Sequence, residues 1–258
     1  MLGLLLMGPA LAAAVPARPV LAHAHNDYEH ARPLLDALAL DFDSVEADIH
    51  LVDGRLLVAH DRKQVRPDRT LESLYLEPLA ACVRKNGGWV RAPGRPLLLL
   101  IDVKTDAAPT CRALHAVLAR HAFMLTTWTE HGLVPRAVTV VVSGNRSAEI
   151  IAAESPRYES LDGRADELES AAPATLMPQL SIDWKKISSW RGEGAMPAAE
   201  RGKLDDVVAR AHARGRRLRF WNTPDRPGFW RVLSVAGVDI VGADDLAALR
   251  AFLDSPQG

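Results

Sequence analysis

Apolar and polar positions alternate along Asp43-Ser-Val-Glu-Ala-Asp-Ile-His-Leu51. Val45, Ala47, Ile49 and Leu51 share one face, and Glu46, Asp48 and His50 share the other. A period of two predicts a strand with one buried and one polar face. Asp53-Gly54 is a hairpin-type turn signal, and Arg55-Leu-Leu-Val-Ala59 predicts a short return run that delivers His60 and Asp61. Pro96–Val103 and Ala137–Val142 are continuous apolar runs of the kind buried in parallel sheets. Pro19–His25, Tyr158–Leu161, Leu176–Leu180, Arg217–Trp221 and Val238–Val241 supply further strands. Helical periodicity fills the intervals at Pro33–Leu40, Leu71–Lys85, Pro109–His121, Ser147–Glu154, Ala198–Arg214, Gly228–Ala236 and Asp244–Leu253. Asp41 stands where a glycine usually ends a helix, and aspartate tolerates the left-handed conformation better than most residues.

That makes eight strands, nearly every one followed by a helix, with no internal repeat and no linker between halves. The order fits an α/β protein with a single (β/α)8 TIM barrel spanning residues 17–258. A doubly wound sheet is the competing architecture, but no glycine-rich phosphate loop follows the first strand.

Composition narrows the picture. With 258 residues, 48% of them apolar, the chain can bury one large core or two small ones. The formal net charge is −1 with Lys and Arg scattered, which gives no footprint for nucleic acid or an anionic membrane surface. The Arg214–Arg219 cluster straddles a helix end and a strand start, and reads as a complement to the helix C-terminus. Met1 to Ala14 is apolar, closes in Ala12-Ala13-Ala14 and has no preceding Lys or Arg. It predicts a signal peptide over residues 1–16 and a secreted or periplasmic protein without stable membrane insertion. Cys82 and Cys111 lack metal spacing and fall in predicted helices, where a disulfide is permitted but not implied.

Polar residues gather where successive apolar strands end, the end of a barrel that carries chemistry. The first strand ends in His23 and His25, the second in Glu46, Asp48 and His50 with His60-Asp61 just beyond. The third ends in Asp102 and Lys104, the fourth in Ser143-Gly-Asn-Arg146, and the seventh in Trp221-Asn-Thr-Pro-Asp225. Glu46, Asp48 and Asp102 are oxygen donors suited to one divalent cation, Mg²⁺ or Ca²⁺. Lys104 adds positive charge for a phosphate whose transition state is more negative than its ground state. Two histidines suit phosphodiester cleavage: one takes a proton from the nucleophile and the other gives one to the leaving oxygen. His23, Asn26, Asn145, Arg146 and Trp221 are the expected substrate contacts. His50 shares the carboxylate face, and His115, His121, His131 and His212 fall on helices or loops without an assigned role.

The Glu46-x-Asp48 pair, His60-Asp61 after an Asp-Gly turn, and Asp102-Val-Lys104 resemble the glycerophosphodiester phosphodiesterase and phospholipase C-like barrel superfamily. The Asp-x-Lys form of the third strand is closer to sphingomyelinase D-like members. More closely, His23-Ala-His-Asn-Asp-Tyr28, Ser44-Val-Glu-Ala-Asp48, Val142-Ser-Gly-Asn-Arg146, Asp162-Gly-Arg164 and Phe220-Trp-Asn-Thr-Pro-Asp225 resemble the family named for altered inheritance of mitochondria protein 6. The resemblance implies a metal on Glu46, Asp48 and Asp102, with a first-strand histidine and His60 as the acid–base pair. The first strand lacks the superfamily's His-Arg-Gly, so both His23 and His25 remain candidates. His25 is the choice because Asn26 then stands where the superfamily's arginine follows its histidine. The implied partner is a small phosphodiester or phospholipid-derived substrate. Two other readings compete: a non-catalytic barrel that binds a phosphate ligand, and a metal-dependent amidohydrolase, which also carries His-x-His on its first strand but needs further histidines on later ones.

Overall fold

The structure is a computed structural model that describes residues 20–256. Eight parallel strands close on one another in the order β1 (Leu21–Ala24), β2 (Ser44–Val52), β4 (Leu97–Val103), β7 (Val138–Gly144), β8 (Glu159–Gly163), β9 (Gln179–Asp183), β10 (Arg217–Trp221) and β11 (Ile240–Ala243). Pairing of β11 with β1 and of β1 with β2 completes the ring. The (β/α)8 barrel expected from the alternation is therefore the fold observed. β3 (Arg55–Val58) pairs antiparallel with β2 across the predicted turn, where Asp53 and Gly54 both adopt positive φ, 49° and 76°. Asp41 likewise takes the left-handed conformation, with φ 55°.

Seven α-helices cover the barrel among the described residues: α1 (Leu35–Ala39), α2 (Glu77–Lys85), α3 (Ala107–Ala119), α4 (Ala148–Ala153), α5 (Ala198–Ala213), α6 (Pro227–Ala236) and α7 (Leu246–Leu253). α4 starts where the Ser147 side chain accepts a hydrogen bond from the Ile150 N–H, a regular N-cap. β8 is followed by a single 3-10 turn at Ala165–Glu167 instead of an α-helix. A small hairpin, β5 (Thr127–Thr129) with β6 (Gly132–Val134), precedes β7. The expected signal segment falls outside the described residues. Cys82 and Cys111 are both free.

Side chains alternate between the helix layer and the barrel interior. Outward residues such as Val45, Ala47, Leu99, Ile101, Leu218 and Phe220 join the main core. Inward, Leu98, Leu100, Val141 and Ile240 pack as a separate apolar plug with Leu21 against it. Above that plug the interior turns polar, and the strand C-termini open into a cleft of about 620 Å³.

Candidate functional site

Alternation on β2 turns Glu46 and Asp48 to the same side, and the β2–β4 register sets Asp48 opposite Asp102. One oxygen from each of the three carboxylates lies within 4.8 Å of the others. Glu46 Oε2 is 3.0 Å from His23 Nε2 and accepts a hydrogen bond from Arg219 Nη2 at 2.9 Å. Burial alone would raise the Glu46 pKa, but Arg219 and His23 together hold it well below the usual carboxylate range. Asp48 Oδ2 gathers three donors: the Tyr28 hydroxyl at 2.7 Å, Lys104 Nζ at 2.9 Å and His60 Nδ1 at 3.1 Å. Its pKa is still raised, because burial and the Glu46 charge outweigh Lys104 and Tyr28. Asp102, 3.3 Å from Lys104 Nζ, is pushed up to about 6 by burial and by Asp48 and Glu46, against the pull of Lys104.

Three crowded carboxylates, two of them reluctant to ionise, form a set that a divalent cation would satisfy. Asp48 Oδ1 is buried and has no hydrogen-bond partner, so an oxygen is left over for such an ion. The donors are all oxygens, as Mg²⁺ and Ca²⁺ prefer. A dication among them would reverse the upward shifts on Asp48 and Asp102. Lys104 stays cationic, since Asp102 and Asp48 more than offset the effect of its burial.

The histidines divide by depth. His25 and His60 line the cleft. His25 Nδ1 is 2.7 Å from Asp244 Oδ1, and its pKa is raised: burial pulls it down, but Asp244 and Glu46 prevail. His60 Nδ1 is held by Asp48, which leaves Nε2 of that ring without a partner in the same contact. His23 is fully buried behind Glu46 and outside the cleft wall. Burial and Arg219 lower its pKa to about 3, so it is neutral. The ionised Glu46 carboxylate can only accept, so Nε2 carries the proton and donates to it, and Nδ1, 2.7 Å from Ser44 Oγ, accepts from that hydroxyl. Gly242, opposite His23 on β11, leaves room for the ring: a Cβ there would sit 3.2 Å from His23 Cδ2. His50 turns away from the carboxylates and bonds the Ala59 carbonyl at 3.1 Å, tying β2 to the return run.

Of the remaining expected contacts, Asn26 and Trp221 line the cleft, with Trp221 43% exposed at its mouth. Asn145 and Arg146 do not. β7 ends at Gly144 with φ 66°, and that turn carries the following residues off the wall. Arg146 instead donates to the Asp162 carbonyl at 2.7 Å and pairs with Glu167. The Arg214–Arg219 cluster is corrected in part: Arg214 pairs with Glu169 and Arg216 binds four carbonyls around Glu167–Ala172. Arg219 is a buried partner of Glu46, inside the barrel. Sequence reading missed Arg219, Tyr28 and Asp244, along with Arg164 and Lys186 on the far wall of the cleft. Period-two alternation of Arg217, Arg219 and Trp221 was the available signal for the first.

The fold and the site define a closed parallel (β/α)8 barrel with three carboxylates and two histidines gathered in one cleft at its C-terminal end. In fold the chain is similar to a solved glycerophosphodiester phosphodiesterase from Agrobacterium tumefaciens str. C58. The TM-score is 0.53 at 13% identity, over 92% of this chain and 100% of that one. A family model for the AIM6-like phosphodiesterase domain matches residues 13–161. The altered inheritance of mitochondria protein 6 of Eremothecium gossypii is 33% identical over 91% of this chain and 70% of its own length, and the Arthroderma benhamiae homolog is 27% identical over 91% and 84%. The chain belongs to the AIM6-like phosphodiesterase domain family. The relatives' names concern the inheritance of mitochondria, a process within the cell, and they overturn the expectation of a secreted or periplasmic protein.

Proposed function

We propose that this barrel cleaves a phosphodiester with a divalent cation held by Glu46, Asp48 and Asp102, and with His25 and His60 as the acid–base pair. The observation that carries this reading is the convergence on one cleft of three carboxylates, one of them with an orphaned buried oxygen, and two histidines each anchored at Nδ1 by a different aspartate. When bound, the cation supplies positive charge that offsets charge growing on the phosphoryl oxygens. Lys104 contributes a second, fixed positive charge beside it. His60, oriented by Asp48, takes the proton from an attacking hydroxyl at Nε2. His25, kept protonated by Asp244, gives a proton to the departing alkoxide as the P–O bond breaks. Tyr28 holds Asp48 from below, and His23 with Arg219 fixes Glu46, so neither carboxylate can swing away from the cluster.

The test is turnover of a panel of soluble phosphodiesters by the purified protein, with Mg²⁺, with Ca²⁺ and with chelator. Cation-dependent release of one alcohol is the expected result. Binding of a diester at saturating cation without turnover of any panel member would replace this reading with that of a non-catalytic phosphate-binding barrel.

A further inference from the structure

Asn26 turns the chain at the end of β1 with φ 49°, and the 3-10 turn Asp27–Glu29 then buries Tyr28. Asp27 straps this turn to β2. Its Oδ2 accepts from the Leu34 N–H at 2.6 Å and from the Tyr75 hydroxyl at 2.9 Å, and that hydroxyl lies 3.1 Å from the Glu46 carbonyl oxygen. Arg69 donates to the Tyr28 carbonyl. The Tyr28 hydroxyl, carried on this anchored turn, meets three side chains: Asp48 Oδ2 and Asn26 Oδ1, both at 2.7 Å, and His60 Nδ1 at 3.2 Å. Asp48 Oδ2 is oversubscribed, since it faces Tyr28, Lys104 and His60, and a carboxylate oxygen has two lone pairs. His60 is the most distant of the three donors, at 3.1 Å. Its side chain is 52% exposed, and among the described residues both hydrogen-bonding contacts of the ring fall on Nδ1.

We propose that Tyr28 is a positioning residue for His60: it holds the ring with the proton on Nδ1, so that Nε2 faces the cleft as an acceptor. The inference rests on the proposed role of His60 as base, and it goes beyond the hold of Tyr28 on Asp48. A half-exposed imidazole held by one shared carboxylate oxygen would rotate and exchange its tautomer. The Tyr28 oxygen gives the Nδ1–H a second acceptor, and acceptors gathered on one ring nitrogen favour the tautomer that leaves the other nitrogen free. Asn26 completes the arrangement. The single hydroxyl hydrogen of Tyr28 is shared between Asp48 Oδ2 and Asn26 Oδ1, which keeps an oxygen lone pair turned to His60.

The experiment has a spectroscopic and a kinetic arm, both on the purified protein with thermal melting recorded to confirm folding. Nitrogen–proton correlation spectra of the histidine rings, taken at alkaline pH where free imidazole is neutral, read which nitrogen of His60 carries the proton. His60→Asn assigns the signal. Wild type should show the Nδ1–H form. Tyr28→Phe keeps the ring and removes the hydroxyl, and should convert a large share to the Nε2–H form. Tyr75→Phe loosens the strap without touching His60, and should shift the tautomer the same way to a lesser degree. With bis(para-nitrophenyl) phosphate as the panel's chromogenic diester and Mg²⁺ saturating, Tyr28→Phe should lower kcat by about 10–100-fold with little change in KM, the range for residues that orient a working group. In a His60→Asn background the same change should cost less than about twofold, because a residue acting through His60 then has nothing left to position. A tautomer unmoved in both tyrosine variants overturns the positioning role and leaves diester cleavage standing. An equal kcat loss with and without His60 does the same, since it places the effect of Tyr28 on Asp48 or on the fold. A tautomer that shifts in Tyr28→Phe, without turnover of any panel diester by wild type, supports the positioning role and overturns the cleavage reading. An Nε2–H form in wild type overturns both.

Discussion

Three histidines sit within one barrel end, and their neighbours give each a different chemistry. His25 and His60 reach the cleft with Nε2 available, so His25→Asn or His60→Asn should lower kcat by about two to four orders of magnitude with little change in KM. Steady-state kinetics on the diester found by screening would check this, and a loss confined to KM would remove the acid–base roles. His23 donates to Glu46 from behind. Its replacement by Asn should weaken cation affinity by about 10–100-fold, as for other residues that orient a ligand, and calorimetric titration with Mg²⁺ reads this directly. A kcat loss at saturating cation larger for His23→Asn than for His25→Asn would reverse the choice between the two first-strand histidines. Asp244 offers a further handle. It raises the pKa of His25, which must be protonated to serve as the proposed acid, so activity should fall as pH rises through that raised value. Asp244→Asn should move the alkaline limb of the kcat/KM profile to lower pH, while an unmoved limb would assign it to another group.

Strand placement was legible wherever the pattern was strong. The alternation on β2, the apolar runs of β4 and β7 and the Asp53-Gly54 turn all lie where the sequence puts them. The hairpin of β5 and β6 was not read, although Gly132, with φ 114°, is a turn signal between short Thr- and Val-containing runs. Depth is harder to read than face. Alternation assigns His23, on β1, and His25, one residue past its end, to the same face, but only the layering of the closed barrel buries the first and opens the second. Arg219 was hidden by the arginines around it, although β10 alternates just as β2 does. Gly144 shows how tightly one strand end sets its neighbour. A Cβ there would lie 2.0 Å from Asp102 Oδ1 and 2.5 Å from the Val103 carbonyl oxygen, on a backbone with φ 66°. Gly144→Ala should cost at least about 1 kcal/mol for the left-handed backbone alone. It should also displace Asp102, so thermal melting and Mg²⁺ titration should both report losses. Unchanged cation affinity in a folded variant would show that Asp102 is not a ligand.

The barrel interior joins distant parts of the chain through charge as well as through apolar packing. Below the cleft, Leu98, Leu100, Val141 and Ile240 form the plug that seals the lower barrel. Above it, Arg219 on β10 reaches Glu46 on β2, 173 positions earlier in the chain, across the width of the ring. Both side chains are nearly buried, 5% and 7% exposed, so neither has water to fall back on if the other is lost. The pair links the two halves of the barrel and fixes a candidate cation ligand in the same contact. Removing one partner of a buried pair costs about 3–5 kcal/mol, because the remaining charge is stranded. Arg219→Met should therefore lower unfolding free energy by about that amount in urea titration. The double variant Glu46→Gln, Arg219→Met strands no charge and keeps most of the volume. It should be less destabilised than Arg219→Met alone, although it would lack the Glu46 ligand. A single variant that loses under about 1 kcal/mol would mean that water reaches the pair and that the link between β2 and β10 adds little to closure of the barrel.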